Sequence, residues 1–167
     1  MLGSATYLYG MIGCPPLSSK QLRNTLQNLR GRYRWRNRCL VVLGTTTGLR
    51  VSELLALKIE DVWTGTAPRP RIYVARRHTK GKRQGDSIVM HPRAAAAITK
   101  WLGTRRNFAQ DDWLFPSQQG QRRPLGRRSA WEVLHDALLQ AGVTGMAGTH
   151  TMRKTFAANV HLSLIHI

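Results

Sequence analysis

Apolar positions along the chain recur at helical spacing in several stretches and alternate in a few short ones between them. In "PPLSSKQLRNTLQNLRG", Ser18 is placed to cap a helix whose apolar positions are Leu22, Leu26 and Leu29, and Gly31 is placed to stop it. A second helix is expected from about Tyr33 to Gly48, with an apolar run from Leu40 to Leu43 and a basic outer face of Arg34, Arg36 and Arg38. "LRVSELLALK" reads as a third, shorter helix with Leu49, Glu53 and Leu57 along one side. The period then changes. "DVW", "RIYVARR" and "SIVMH" are short, β-branched and partly alternating, and Pro, Gly and Lys/Arg-rich loops divide them. They predict a small antiparallel three-stranded sheet. Helical spacing returns in "HPRAAAAITKWLGTRR", with Pro92 in its first turn, and in "GRRSAWEVLHDALLQAG", closed by Gly142. Between these two, "DDWLFPSQQGQ" reads as a loop with a short extended piece, and a last helix begins near His150. The expected fold class is α+β, mostly helical.

Length and composition narrow the partners. The 167 residues suffice for one domain with its own core, and 42% apolar content excludes a disordered chain. Lys and Arg number 26 against 8 Asp and Glu, a net charge of +18. A chain this basic points to a polyanion, which on charge alone is DNA, RNA or an anionic membrane surface. The two cysteines, Cys14 and Cys39, have no CxxC spacing, so neither a disulfide framework nor a zinc site is expected. No signal-peptide pattern and no membrane-length apolar run is present, and a reducing cytoplasm fits.

Three constellations carry candidate chemistry. In "TTGLRVSEL", Arg50 follows a glycine at the start of a short helix, and Glu53 three residues on can lie beside the guanidinium. Surface Arg–Glu pairs share that spacing, but here Leu49 to Leu57 give the pair an apolar setting. In "RRHTKGKRQGDSIVMHP", Lys80 and Lys82 flank Gly81 in a basic turn between two strands. Such a turn is either a solvated hairpin tip or a flexible lysine reaching into a nucleic-acid groove. In "HTMR", His150 and Arg153 share one face of a helix start, where free backbone N–H groups and the macrodipole favour an anion. The arginine adds a planar fork suited to phosphate oxygens, and the histidine beside it could move a proton.

The ordered set of "TTGLRVSELLALKIEDV", "TKGKRQGDSIVMHP" and "GTHTMRKTFAANV", in a helix–sheet–helix chain, resembles the catalytic domain of the tyrosine recombinases, or phage integrases. The resemblance runs from roughly Leu17 to Val160. It implies that Arg50 and Arg153 clamp the scissile phosphate and stabilise its pentavalent transition state. His150 then helps manage protons, and Lys80 protonates the departing 5′-hydroxyl, with Lys82 the alternative if the hairpin register shifts by two. Glu53 supports the active-site arginine. Arg50, Lys80, Lys82, Arg83, Arg153 and Lys154 become the DNA-binding positions. The family uses no metal and no cofactor, and the 8 carboxylates do not cluster as a two-metal site requires.

The nucleophile of the family is a Tyr some dozens of residues after the His-x-x-Arg box. Tyr7, Tyr9, Tyr33 and Tyr73 all precede it, so none is assigned. His161 and His166 follow too soon to match the family's second His or Trp. The expected organisation is a tail over 1–16, a catalytic domain over 17–161 incomplete at its C-terminus, and a non-native tail over 162–167. "LSLIHI" is one reading frame of a transposon-end sequencing adapter, CTGTCTCTTATACACATC, which suggests read-through on a fragment of a longer gene. The expected partner is double-stranded DNA. The full-length parent would act as a tetramer on it, while this chain alone would be monomeric and inactive. The alternative from another class is a non-catalytic, helix-turn-helix type DNA-binding module, which gives no reason for the order of Arg50, Lys80, His150 and Arg153.

Overall fold

In the computed structural model, which describes residues 14–75, 86–145 and 147–165, the chain becomes helical directly after Ser18. The Gln21 N–H donates to the Ser18 hydroxyl at 3.2 Å and the Ser18 N–H donates to the Gln21 side chain at 2.9 Å. This reciprocal cap starts α1 (Ser19–Asn28). Gly31, at φ +80°, lies in the turn after α1 rather than at its end. α2 (Arg34–Thr47) closes on Gly48 in the left-handed conformation, φ +66°. α3 (Val51–Leu55) follows, and a short 3-10 turn at Ile59–Asp61 leads out of it.

The basic outer face expected on α2 is corrected at one position. Arg34 is exposed and Arg38 half-buried, but Arg36 is completely buried. Residues two apart on a helix are about 200° apart around its axis, so alternate arginines cannot share one face. Arg36 donates through Nε and Nη2 to Asn37 Oδ1, at 3.0 and 2.9 Å, and through Nη1 to the Pro116 carbonyl at 2.7 Å. Its guanidinium also lies 4.4 Å from the centre of the Tyr33 ring. The apolar side of α2, with Cys39, Leu40, Val41 and Leu43 buried, is the axis of the core.

The three-stranded sheet is likewise corrected: the described residues form two separate two-stranded antiparallel sheets. β1 (Arg71–Val74) pairs with β2 (Asp86–Val89), Ile72 opposite Ile88. "DVW" adds only an isolated bridge between Trp63 and Pro68. Two causes combine. Asp61 accepts the Lys58 N–H at 2.7 Å and holds this segment in the 3-10 turn. The opposing segment carries Pro68 and Pro70, which have no N–H to donate, so the bonds flanking the bridge are Arg69 N–H to the Val62 carbonyl and Thr64 N–H to the Ala67 carbonyl, both at 2.8 Å. The second sheet pairs β3 (Pro116–Ser117) with β4 (Gly120–Pro124), from the stretch read as a loop with an extended piece.

α4 (Pro92–Leu102) lies between the sheets in sequence, opened by Pro92 and by His91, whose Nδ1 accepts the Arg93 N–H at 3.1 Å. It packs on α2, and its Trp101 indole donates to the Leu114 carbonyl at 2.8 Å. α5 (Arg127–Gln140) packs on α1, and α6 (Thr149–Ile165) packs on α2. The core closes with Leu54, Leu57, Ile59, Ile98, Phe115, Leu138 and Met152. No helix among the described residues is long and apolar enough to cross a membrane.

Candidate functional site

Two glycines bring the start of α6 onto the end of α2. A Cβ added to Gly44 would lie 2.5 Å from Met152 Sδ, and one added to Gly48 would run into the Phe156 ring. Only a hydrogen at these positions allows the approach. Gly48 also supplies the positive φ that turns the chain toward Arg50. The chain corner that presents Arg50 and the helix that presents Arg153 are thereby fastened to one another.

Arg50 occupies the N-cap of α3 with extended backbone. Glu53 holds it twice. Its Oε2 accepts the Arg50 backbone N–H at 2.7 Å, and its Oε1 accepts from Arg50 Nη1 at 3.2 Å. The Glu53 side chain is only 6% exposed, whereas that of Arg50 is 52% exposed. The carboxylate is thus committed to the arginine, and the arginine keeps access to solvent.

The first turn of α6 is set by small polar groups. The Gly148 N–H donates to Thr151 Oγ1 at 3.1 Å, and the Thr151 N–H donates back to the Gly148 carbonyl at 2.9 Å. Gly148 packs under Trp131 of α5, whose Nε1 would lie 3.0 Å from a Cβ there. One turn on, buried Thr155 donates to the Thr151 carbonyl at 2.7 Å and accepts the Leu17 N–H at 2.8 Å. That bond ties the segment before α1 to α6. Thr151, Met152 and Thr155 face inward, and His150, Arg153 and Lys154 face outward.

These outward side chains, with Ala157 and the half-buried Cys14, line a cleft of about 470 Å³. His150, Arg153 and Lys154 bring cationic or protonatable groups to the first turns of a helix, where the macrodipole already favours negative charge. The structure therefore brings His150, Arg153 and Lys154 into one cleft and Arg50 and Glu53 into one pair. The two sets are linked by the Gly48–Phe156 contact, and Arg50 is not itself a lining residue of the cleft. Lys80, Lys82 and Arg83 lie outside the described residues. No group of three or more His, Cys, Asp or Glu residues that could hold a metal occurs among the described residues.

Several supporting residues were not evident from the motifs. The spacing of Gly44 and Gly48 is a usable signal for close helix approach. Trp131 and the Thr155–Leu17 bond act across 17 and 138 residues and have no local signature.

Comparison with known proteins agrees with this architecture. The model of the phage integrase family matches residues 16–163. Tyrosine recombinase XerD of Mycobacterium leprae is 32% identical over 132 residues, covering 75% of this chain and 39% of that protein. Among solved structures, XerA recombinase superposes with a TM-score of 0.71 at 24% identity, covering 90% of this chain and 52% of the other. The Tn1549 transposon integrase in complex with circular intermediate DNA gives 0.67 at 19% identity, over 89% and 54%. These two show a shared fold. The chain spans 39% to 58% of the length of the curated relatives it matches. The helix-turn-helix alternative is not favoured.

Proposed function

The chain belongs to the phage integrase family, and from that premise we propose that it holds a phosphate of double-stranded DNA between Arg50 and Arg153. The two guanidiniums stabilise the additional negative charge of a five-coordinate phosphate. His150, three residues before Arg153 on the same cleft, manages the proton of the attacking or departing oxygen. Glu53 keeps Arg50 oriented and takes no part in proton transfer. Lys80, with Lys82 as its alternative, protonates the departing 5′-hydroxyl, and Arg83 and Lys154 add backbone contacts.

The observation that carries this reading is the fastening of α6 to the α2–α3 corner through Gly44, Gly48, Met152 and Phe156. It supports two arginines more than a hundred residues apart acting as one clamp. No tyrosine of the chain is assigned as nucleophile: Tyr33 lies against Arg36 at the opposite end of α2, and Tyr73 lies on β1. Residues 17–161 accordingly act as a phosphate-binding catalytic domain that grips DNA and leaves the strand intact. In a full-length parent, assembled as a tetramer on DNA, the same clamp would serve cutting and rejoining through a 3′-phosphotyrosyl link. The final 162–167 segment has no role in this scheme.

Titration of a fluorescent duplex tests it. The chain binds with a steep log–log dependence on salt, and Arg153→Ala lowers affinity roughly tenfold and flattens the slope by about 1. No covalent protein–DNA species accumulates on a nicked suicide substrate. Salt-insensitive binding, or a trapped adduct, would contradict the proposal.

A further inference from the structure

A second basic cleft lies at the other end of α2. It has a volume of about 630 Å³, and its lining includes Arg32, Tyr33, Arg105, Arg106, Ser117 and Gln118. It shares no residue with the cleft of His150 and Arg153. α2 has 14 residues, so at about 1.5 Å rise per residue its two ends are roughly 21 Å apart. This cleft is therefore separate from the clamp.

Its charge is concentrated and little offset. Arg32 and Arg106 are exposed, and neither forms an ion pair among the described residues. Arg105 is held in place, its Nη2 3.1 Å from Asp112 Oδ2 and its Nη1 donating to the Trp113 carbonyl at 3.3 Å. Beneath the lining, the buried guanidinium of Arg36 is anchored on the carbonyl of Pro116, itself a lining residue. Two cations lie near the Tyr33 ring, Arg36 at 4.4 Å and Arg32 at 5.5 Å from its centre. Burial lowers the Arg36 pKa to about 10, which leaves it fully charged near neutrality in surroundings that screen it weakly. A nearby anion would compensate that charge, and the exposed forks of Arg32 and Arg106 match phosphate geometry.

We propose that this cleft is a second phosphate-binding site, occupied by the backbone of nucleic acid, with Arg32 and Arg106 in contact and Arg36 and Arg105 strengthening the field from below. Phosphate is the shared chemistry of two sources, the backbone and a free phosphorylated molecule. The backbone is favoured because the chain carries a net charge of +18 and a polyanion long enough to reach both clefts gains from the second as an intramolecular contact. The inference uses the same ligand class as the clamp but does not depend on Arg50 or Arg153.

The test compares the parent chain with R32A/R106A, R32K/R106K, R153A and the triple alanine variant. Each is first checked for an unchanged circular dichroism spectrum and melting temperature. Binding of a labelled duplex about two helical turns long is then followed by anisotropy between low and moderate salt. R32A/R106A is expected to lose affinity roughly tenfold and to flatten the salt slope by about 2, and R32K/R106K to keep most of both. The loss should combine additively with that of R153A, as expected for distant sites. If R32A/R106A weakens binding and R153A does not, the clamp reading fails and this one stands. Parent-like affinity and slope in folded R32A/R106A overturn it. So does calorimetric binding of inorganic pyrophosphate, or of a polyglutamate peptide, that R32A/R106A abolishes while duplex affinity stays unchanged.

Discussion

Arg50 and Arg36 stand at opposite ends of one helix in opposite circumstances. Arg50 is half exposed and has a carboxylate of its own, with Glu53 bound to both its backbone and its guanidinium. Arg36 has no exposed surface and forms no ion pair among the described residues; an amide oxygen, a carbonyl and an aromatic ring take its place in the structure. Burial draws the Arg36 pKa down from its ordinary value to about 10. The unfolded chain therefore holds that proton more tightly, and the buried charge opposes folding at every pH below about 10. The opposition fades only as the pH rises from there toward the unfolded value. Hydrogen bonds and packing offset it. Arg50 instead keeps its guanidinium half exposed beside Glu53. An arginine's role thus follows from what compensates its charge, and one residue type serves as an internal strut at one end and a solvent-facing group at the other.

The largest effect expected from breaking this contrast is on Arg36. Arg36→Ala leaves a cavity, an unpaired Pro116 carbonyl and an unpaired Asn37 side chain, and should lower stability by about 3 kcal/mol or more. Arg36→Met fills more of the space and removes the buried charge, so it should cost less. Arg50→Ala should shift stability by no more than about 1 kcal/mol. Urea midpoints decide the matter, and equal losses for Arg36→Ala and Arg50→Ala would erase the distinction. An intermediate effect is expected at the glycines. Gly31 and Gly48 both have positive φ, but a methyl group on Gly31 meets nothing within 4 Å and one on Gly48 meets Phe156. Gly31→Ala should cost about 1 kcal/mol, and Gly48→Ala about 2 kcal/mol more through the α2–α6 contact. Matching losses would mean that the contact contributes little. The smallest effect is Glu53→Gln, which keeps an acceptor for the Arg50 N–H and loses the charge. About 1 kcal/mol of stability should go, with duplex affinity weakened severalfold.

Much of this is legible in the sequence. Ser18, Pro92, Gly48 and Gly142 mark helix ends because caps and turns are local chemistry, settled within three or four residues. The Arg50–Glu53 pair was legible for the same reason, as was the shared face of His150 and Arg153. Sheet pairing was not local. "DVW" has strand-like composition, and its ladder is limited by the 3-10 turn that Asp61 holds and by the prolines at 68 and 70 on the opposing segment. The β3–β4 pairing depends on a short polar turn with little hydrophobic alternation to mark it. The burial of Arg36 was accessible from helical geometry alone, since its neighbours 34 and 38 point the other way. Nothing near Leu17 indicates that Thr155 receives its N–H.

If Arg50 and Arg153 act on one phosphate, as proposed, a double-mutant cycle reads their coupling. Duplex affinity is determined for the parent chain, Arg50→Ala, Arg153→Ala and the double variant at one fixed salt concentration. Shared contact predicts that the second substitution costs much less once the first is made, a coupling of about 1 kcal/mol or more. Losses that simply add, with each arginine weakening binding by the same factor whether or not the other is present, would contradict a common clamp.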